Sequence, residues 1–149
     1  MRIYFDSCCL NRPFDDLTDN TVRMECEAIL SIIDICGVGD WSYFSSDVLL
    51  DEIIETADND RREKVLLLYH SASEHVGFTE AIFSRAKELE RWGIKSFDAL
   101  HVASAEAAGA DVFLTTDRRL VNASKRASTY IPVRNPLIWI TEVFYDRES

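Results

Sequence analysis

Apolar residues fall into two patterns along this chain: short runs that stop at a polar residue, and longer stretches in which they recur every three or four positions. "RIYF" (2–5) is β-branched and aromatic and runs straight into Asp6, which predicts a strand buried on both faces. "DNTVRMECEAILSIIDICG" then sets Val22, Cys26, Ile29, Ile32, Ile33 and Cys36 on one helical stripe before Gly37. "WSYFSS" (41–46) is a second strand, with Ser46 placed to cap a helix through "DVLLDEIIETA", and a charged helix begins around Asp60. After an extended "HVGF", Ala81, Ile82, Ala86 and Leu89 mark a helix that stops at Gly93, and an alanine-rich helix follows from an N-cap at Ser96 to Gly109. "DVFLTTD" (111–117) repeats the opening pattern, a strand delivering an aspartate. "RRLVNASKRAS" reads as helix and "YIPVRNP" as a last strand, while "LIWITEVF" suits either helix or strand. Strands alternating with helices predict a three-layer α/β/α sandwich around a central, mainly parallel sheet.

Length and composition narrow this picture. At 149 residues and 47% apolar content, one domain spanning 1–149 with a single substantial core is expected. No apolar run approaches the roughly 20 residues that span a bilayer, and the strand-like start does not resemble a secretion signal, so no membrane association and a cytoplasmic location are expected. The net charge of −10 argues against non-specific attraction to polyanions, but it is unevenly spread. Between Asp15 and Asp60 thirteen acidic residues face a single basic one, Arg23, whereas "RRLVNASKR" (118–126) holds four basic residues and no acid. The four cysteines lack CxxC or Cys/His zinc spacing and are expected to be small packing residues.

Ligands of open parallel sheets collect beyond the carboxyl ends of the strands. Asp6 and Asp117 stand at such ends, Asp98 lies in the first turn of its helix, and Glu52 lies about a turn and a half into the helix after "WSYFSS". Each has a plain structural explanation: aspartates are common in turns, and acids are stabilised at helix starts. Four carboxylates aimed at one place, however, repel one another unless a cation neutralises them. Oxygen ligands without convergent His or Cys suit Mg2+ or Mn2+.

"IYFDSCCL", "SSDVLLDEI", "SFDALHVASA" and "DVFLTTDRRL", in this order and spacing, resemble the acidic motifs of PIN-domain ribonucleases, the family that includes VapC-type toxins. The resemblance spans nearly the whole chain and implies a PIN-like fold. It also implies metal-dependent endonucleolytic hydrolysis of RNA, with Asp6, Glu52, Asp98 and Asp117 catalytic. Asp6, Asp98 and Asp117 would be metal ligands, and Thr116 a hydroxyl beside the last acid. The basic run from Arg118 and Arg119 is placed to guide an RNA backbone, with Arg12 on the first loop a further phosphate contact. His101, three residues after Asp98, is expected to be hydrogen-bonded near the site and not a ligand. Departures from the family are Cys8 and Cys9 and the extended first loop "NRPFDD"; Glu52 has Asp47, Asp51 and Glu55 close by as competing alignments.

If the chain is the toxin of a type II toxin–antitoxin pair, the resemblance further implies a small antitoxin protein and a homodimer. The alternative is a catalytically silent PIN-like module for RNA or protein binding, against which stands the retention of four mutually repelling acids. A phosphatase of the haloacid dehalogenase type would want an acid where Cys8 stands, and a receiver domain would want a late lysine on the sheet that is not evident.

Overall fold

The computed structural model describes residues 1–148, with side chains through Tyr145. Strand β1 (Arg2–Phe5) leads through helix α1 (Ser7–Asn11), a 3-10 turn (Arg12–Phe14) and α2 (Asn20–Gly37) to β2 (Ser42–Ser46). Helices α3 (Asp47–Ile54) and α4 (Asn59–His70) precede β3 (Glu74–Val76), and α5 (Glu80–Glu90) and α6 (Ser96–Ala108) precede β4 (Val112–Leu114). Helix α7 (Arg118–Ala127), β5 (Val133–Arg134) and α8 (Pro136–Glu148) complete the chain. The five strands are all parallel in the order β3-β2-β1-β4-β5, with Ile3 paired to Tyr43 on one side and to Val112 on the other.

The strand sequences are apolar without alternation because both faces of the sheet are covered. Ile3, Phe5, Tyr43, Val112 and Leu114 join a core with residues of α2, α3, α4 and α8, while Tyr4, Phe44 and Phe113 point the opposite way into α5, α6 and α7. The small side chains Ala99, Ala103 and Ala105 line the buried face of α6, which packs on α5. The chain winds outward from β1 to β2 and β3, then returns to place β4 on the other flank. This reversal opens a crevice beyond the carboxyl ends of β1 and β4, where Asp6 and Asp117 follow.

Four details differ from the sequence reading. The segment after Asp6, expected as a loop, is a short helix followed by a 3-10 turn with Pro13 near its start, so Asp6 is itself an N-cap. The N-cap of α6 is Lys95, not Ser96; Lys95 is extended and offers no side-chain cap, and Ser96 is already helical. Ala81 lies outside the stripe buried by α5, which is Ile82, Ala86 and Leu89. Finally, the ambiguous C-terminal segment is helical because Asn135 Oδ1 accepts the N–H groups of Leu137 and Ile138 and Pro136 occupies the first turn.

Candidate active site

Asp6 is only 5% exposed, and its carboxylate is held from three directions. Oδ1 accepts the N–H of Ser7 at 2.8 Å, while Oδ2 accepts the hydroxyl of Thr115 at 2.7 Å and a long contact from the Cys8 thiol at 3.4 Å. Its backbone N–H donates to Leu114 across the β1–β4 pair, so the end of one strand registers the acid against the end of the next. Burial pushes the Asp6 carboxyl above its usual value, partly offset by His101 and the Thr115 hydroxyl.

Glu52 projects from α3 into the same space. The hydroxyl of Ser7 donates to its Oε1, and Oε2 lies 2.6 Å from His101 Nε2. Burial alone would raise the Glu52 carboxyl, but the bonds from His101 and Ser7 outweigh it and hold the group below its ordinary value. His101 is fully buried, and its other ring nitrogen, Nδ1, lies 2.9 Å from the Tyr4 hydroxyl, which in turn lies 2.6 Å from Ser46 Oγ. Ser46 also accepts the N–H of Leu49 as the cap of α3. Nε2–H of His101 thus donates to the ionised Glu52, and Nδ1 shares its hydrogen bond with the Tyr4 hydroxyl. Both ring nitrogens are thereby committed, so His101 orients Glu52 instead of offering a lone pair to the cleft.

One donor atom from each of Asp6, Glu52 and His101 lies within 4.8 Å of the others. Asp98, half-buried at the start of α6, has its carboxyl pushed up to about 6 by burial and by the charges of Asp6, Asp117 and Glu52, with His101 opposing. Asp98 therefore lies within the electrostatic reach of the other three sequence-identified acids. Asp117 spends Oδ1 on the N–H groups of Arg119 and Leu120 as the cap of α7 and, with Asp98, lines a cleft of about 320 Å³. Carboxylates gathered at one crevice, with Asp6 and Asp98 held above their ordinary values and the one nearby imidazole already occupied, suit a hard divalent cation of the Mg2+ or Mn2+ type.

The remaining sequence candidates lie around this centre. Thr116 N–H points to Cys8 Sγ at 3.4 Å, and Thr116 lines a second cleft with Arg12 and Arg118; Arg119 lines the first. Arg12 is engaged with Asp15 and Glu25, both at 3.0 Å. The hydroxyl that reaches Asp6 belongs to Thr115, fully buried, which also accepts the Asp117 N–H at 3.1 Å. The sequence reading passed over Thr115, although strand alternation, which turns successive side chains to opposite faces, distinguishes it from Thr116. It passed over Ser7, too, and the buried Glu25, whose Oε2 accepts from Asn135 at 2.6 Å. Cys9 is packed beneath the crevice as expected, whereas Cys8 is half-buried against Asp6 and Thr115.

A family model described as PIN domain matches residues 3–126, a span that holds all four acids, His101 and Thr115. The chain belongs to the PIN domain family. None of the curated protein sequences matches it. Among solved structures, the PIN fold here resembles a chain of VapBC2 from Rickettsia felis, crystallised bound to a DNA fragment from their promoter, at TM-score 0.63 and 15% identity over 91% of this chain and 98% of that one. It also resembles a chain of VapBC-1 from nontypeable Haemophilus influenzae, at TM-score 0.61 and 16% identity over 91% of this chain and 98% of the other. The PIN-like α/β/α architecture anticipated from the sequence is thus the one observed, with its sheet parallel throughout the described residues.

Proposed function

We propose that this PIN domain is a Mg2+- or Mn2+-dependent endoribonuclease and the toxin of a type II toxin–antitoxin pair. The observation that supports the reading is the grouping of the Asp6 and Glu52 carboxylates at the end of β1, with Asp98 pushed up to about 6 by burial and the charges around it and sharing one cleft with Asp117. Asp6, Asp98 and Asp117 would hold the cation. When bound there, the ion supplies activation of a water and neutralisation of charge on the phosphate. Ser7 and His101 orient Glu52 to take a proton from the attacking water. Thr115 holds Asp6 and the backbone leading to Asp117 at a set separation. Thr116, Arg118, Arg119 and Arg12 line the approach of the substrate's phosphates. Water adds to phosphorus as Glu52 takes its proton and passes it to solvent, the P–O bond to the leaving ribose oxygen breaks, and that oxygen takes a proton from solvent water.

The two VapBC structures support a small antitoxin as the partner in this reading, and a basic residue of that partner would neutralise the acids at the mouth of the cleft. A homodimer of the nuclease and a cytoplasmic setting complete the proposal; among the described residues no helix is long and apolar enough to cross a membrane.

Asp98→Asn tests the site with two independent readouts. Cleavage of a structured RNA in Mg2+ is expected to fall by at least about 100-fold, a loss typical of removing one charged catalytic group. In EDTA the variant is expected to melt a few degrees higher than the parent, because one of four repelling charges is gone, and Mg2+ should no longer raise its Tm as it does the parent's. Undiminished cleavage, or an unchanged Mg2+-induced Tm shift, would remove Asp98 from the metal site.

A further inference from the structure

Most of the cations that could pair with carboxylates elsewhere do so: Arg2, Arg12, Arg61, Lys64, Arg85 and Lys87 each sit within 4.0 Å of one. Lys95, Arg119 and Arg126 have no carboxylate partner among the described residues, and all three line the cleft that contains Asp98 and Asp117. Arg118, Lys125 and Arg134 are equally unpaired there, and all three line the second, larger cleft of about 620 Å³. Helix α7 is the wall between the two clefts, and Asn122 lines both. In a chain of net charge −10, six of the nine cations without an ion pair among the described residues are therefore gathered on the two flanks of one helix, whose N-cap is Asp117, the others being the scattered Arg23, Arg62 and Arg91.

The two clefts are chemically unequal. The first is the smaller, and its apolar lining residues Ile94, Leu120 and Ala123 are buried. The second has an apolar shelf made by Val121, Leu137 and Ile138, the last 55% exposed, beside its three free cations. Its two acids do not cancel them: Glu25 is already paired with Arg12 and hydrogen-bonded by Asn135, and Glu142 is exposed to solvent. Cations beside an apolar shelf match one ligand chemistry well, an unstacked base with its phosphate. A duplex cannot lay a paired base on such a shelf.

We infer that a single-stranded stretch of RNA crosses α7, held on both sides of the scissile phosphate, with phosphate contacts in the first cleft and a nucleotide whose base rests on Val121, Leu137 and Ile138 in the second. This rests on the nuclease reading for its scissile phosphate, but its test does not require cleavage. Binding of fluorescein-labelled oligoribonucleotides of two to eight residues would be followed by anisotropy in Ca2+ at several salt concentrations, with a matched duplex alongside. Three proteins would be compared: the parent, Lys95→Gln/Arg126→Gln for the first cleft and Lys125→Gln/Arg134→Gln for the second.

Each double variant is expected to bind the eight-residue strand about tenfold more weakly, with a slope of log K against log salt shallower by about 0.7 per lost phosphate contact. Ile138→Ala should weaken the long strand and leave the salt slope unchanged, which separates base packing from charge. The dinucleotide, too short for both clefts, should not respond to substitutions in one of them, and the duplex should bind at least tenfold more weakly than the strand. An unchanged affinity and slope in either double variant, or equal binding of duplex and strand, would overturn the two-sided site even if the parent cleaves RNA. The predicted binding pattern without cleavage in any divalent metal would instead sink the nuclease reading and leave the strand site standing.

Discussion

Two adjacent threonines at the end of β4 have opposite environments. Thr115 is fully buried and bonded to both the Asp6 carboxylate and the Asp117 backbone, while Thr116 is half-buried and faces the second cleft. Thr115→Val keeps the shape and removes the hydroxyl, leaving a buried carboxylate short of a donor, which costs about 1–3 kcal/mol. Its urea midpoint and its cleavage rate are both expected to fall, with Thr115→Ser restoring most of each. Thr116→Val should leave stability within about 0.5 kcal/mol of the parent, as for other partly exposed positions. Equal effects at the two positions would mean that Thr115 does not hold Asp6. His101 carries the same lesson: its place three residues after Asp98 was visible in the sequence, but its bonds to Glu52 and Tyr4 join residues 49 and 97 positions away.

At the scale of elements, β3 is a three-residue edge strand tied to the sheet by charge as well as by its ladder. Glu74 takes two nitrogens of Arg2 at 2.8 and 3.2 Å across the intervening β2, whose Ser42 hydroxyl also donates to it. The bonds from Arg2 and then Ser42 hold the Glu74 carboxyl below its ordinary value of 4.5. A lowered folded-state pKa gives stability that is present above the unfolded value and is lost as pH falls through the folded one. Glu74→Gln should therefore flatten the acid side of the stability profile, so that the parent's advantage is full near neutrality and shrinks as pH falls below the ordinary carboxyl value of 4.5; urea midpoints that stay parallel from pH 3 to 7 would refute it. The periodicity of the sequence identified the helices and strands because both faces of the sheet are packed. It did not identify α1, since a five-residue helix has too few turns to show a period. It placed the α6 cap one residue late because Ser96 has the preferred chemistry but Lys95 has the extended backbone.

Across the whole molecule, charge is sorted. Asp34, Asp40, Asp51, Glu55 and Asp58 are among the exposed acids of the first half, and most of the unpaired cations among the described residues flank α7 in the second. Salt should then act in opposite directions on two properties. Raising NaCl from 0.01 to 0.1 M shortens the screening length from about 30 to about 10 Å, which should raise the Tm of the metal-free protein by relieving acidic repulsion while weakening its hold on single-stranded RNA. A Tm that falls with salt would show that ion pairs outweigh the repulsion.

The order of the strands and of helices α2 to α7, the presence of the four acids and the basic run after Asp117 were determined by the sequence, because periodicity and charge are local properties that each segment carries by itself. Only the tertiary structure decided that the chain reverses direction after β3, setting β4 beside β1 and thereby bringing Asp117 beside Asp6. It also decided that Thr115 and not Thr116 turns inward to Asp6, that both nitrogens of His101 are occupied, and that α7 divides two basic clefts. These depend on contacts between residues far apart in the chain, and such contacts exist only once the two faces of the sheet have been buried.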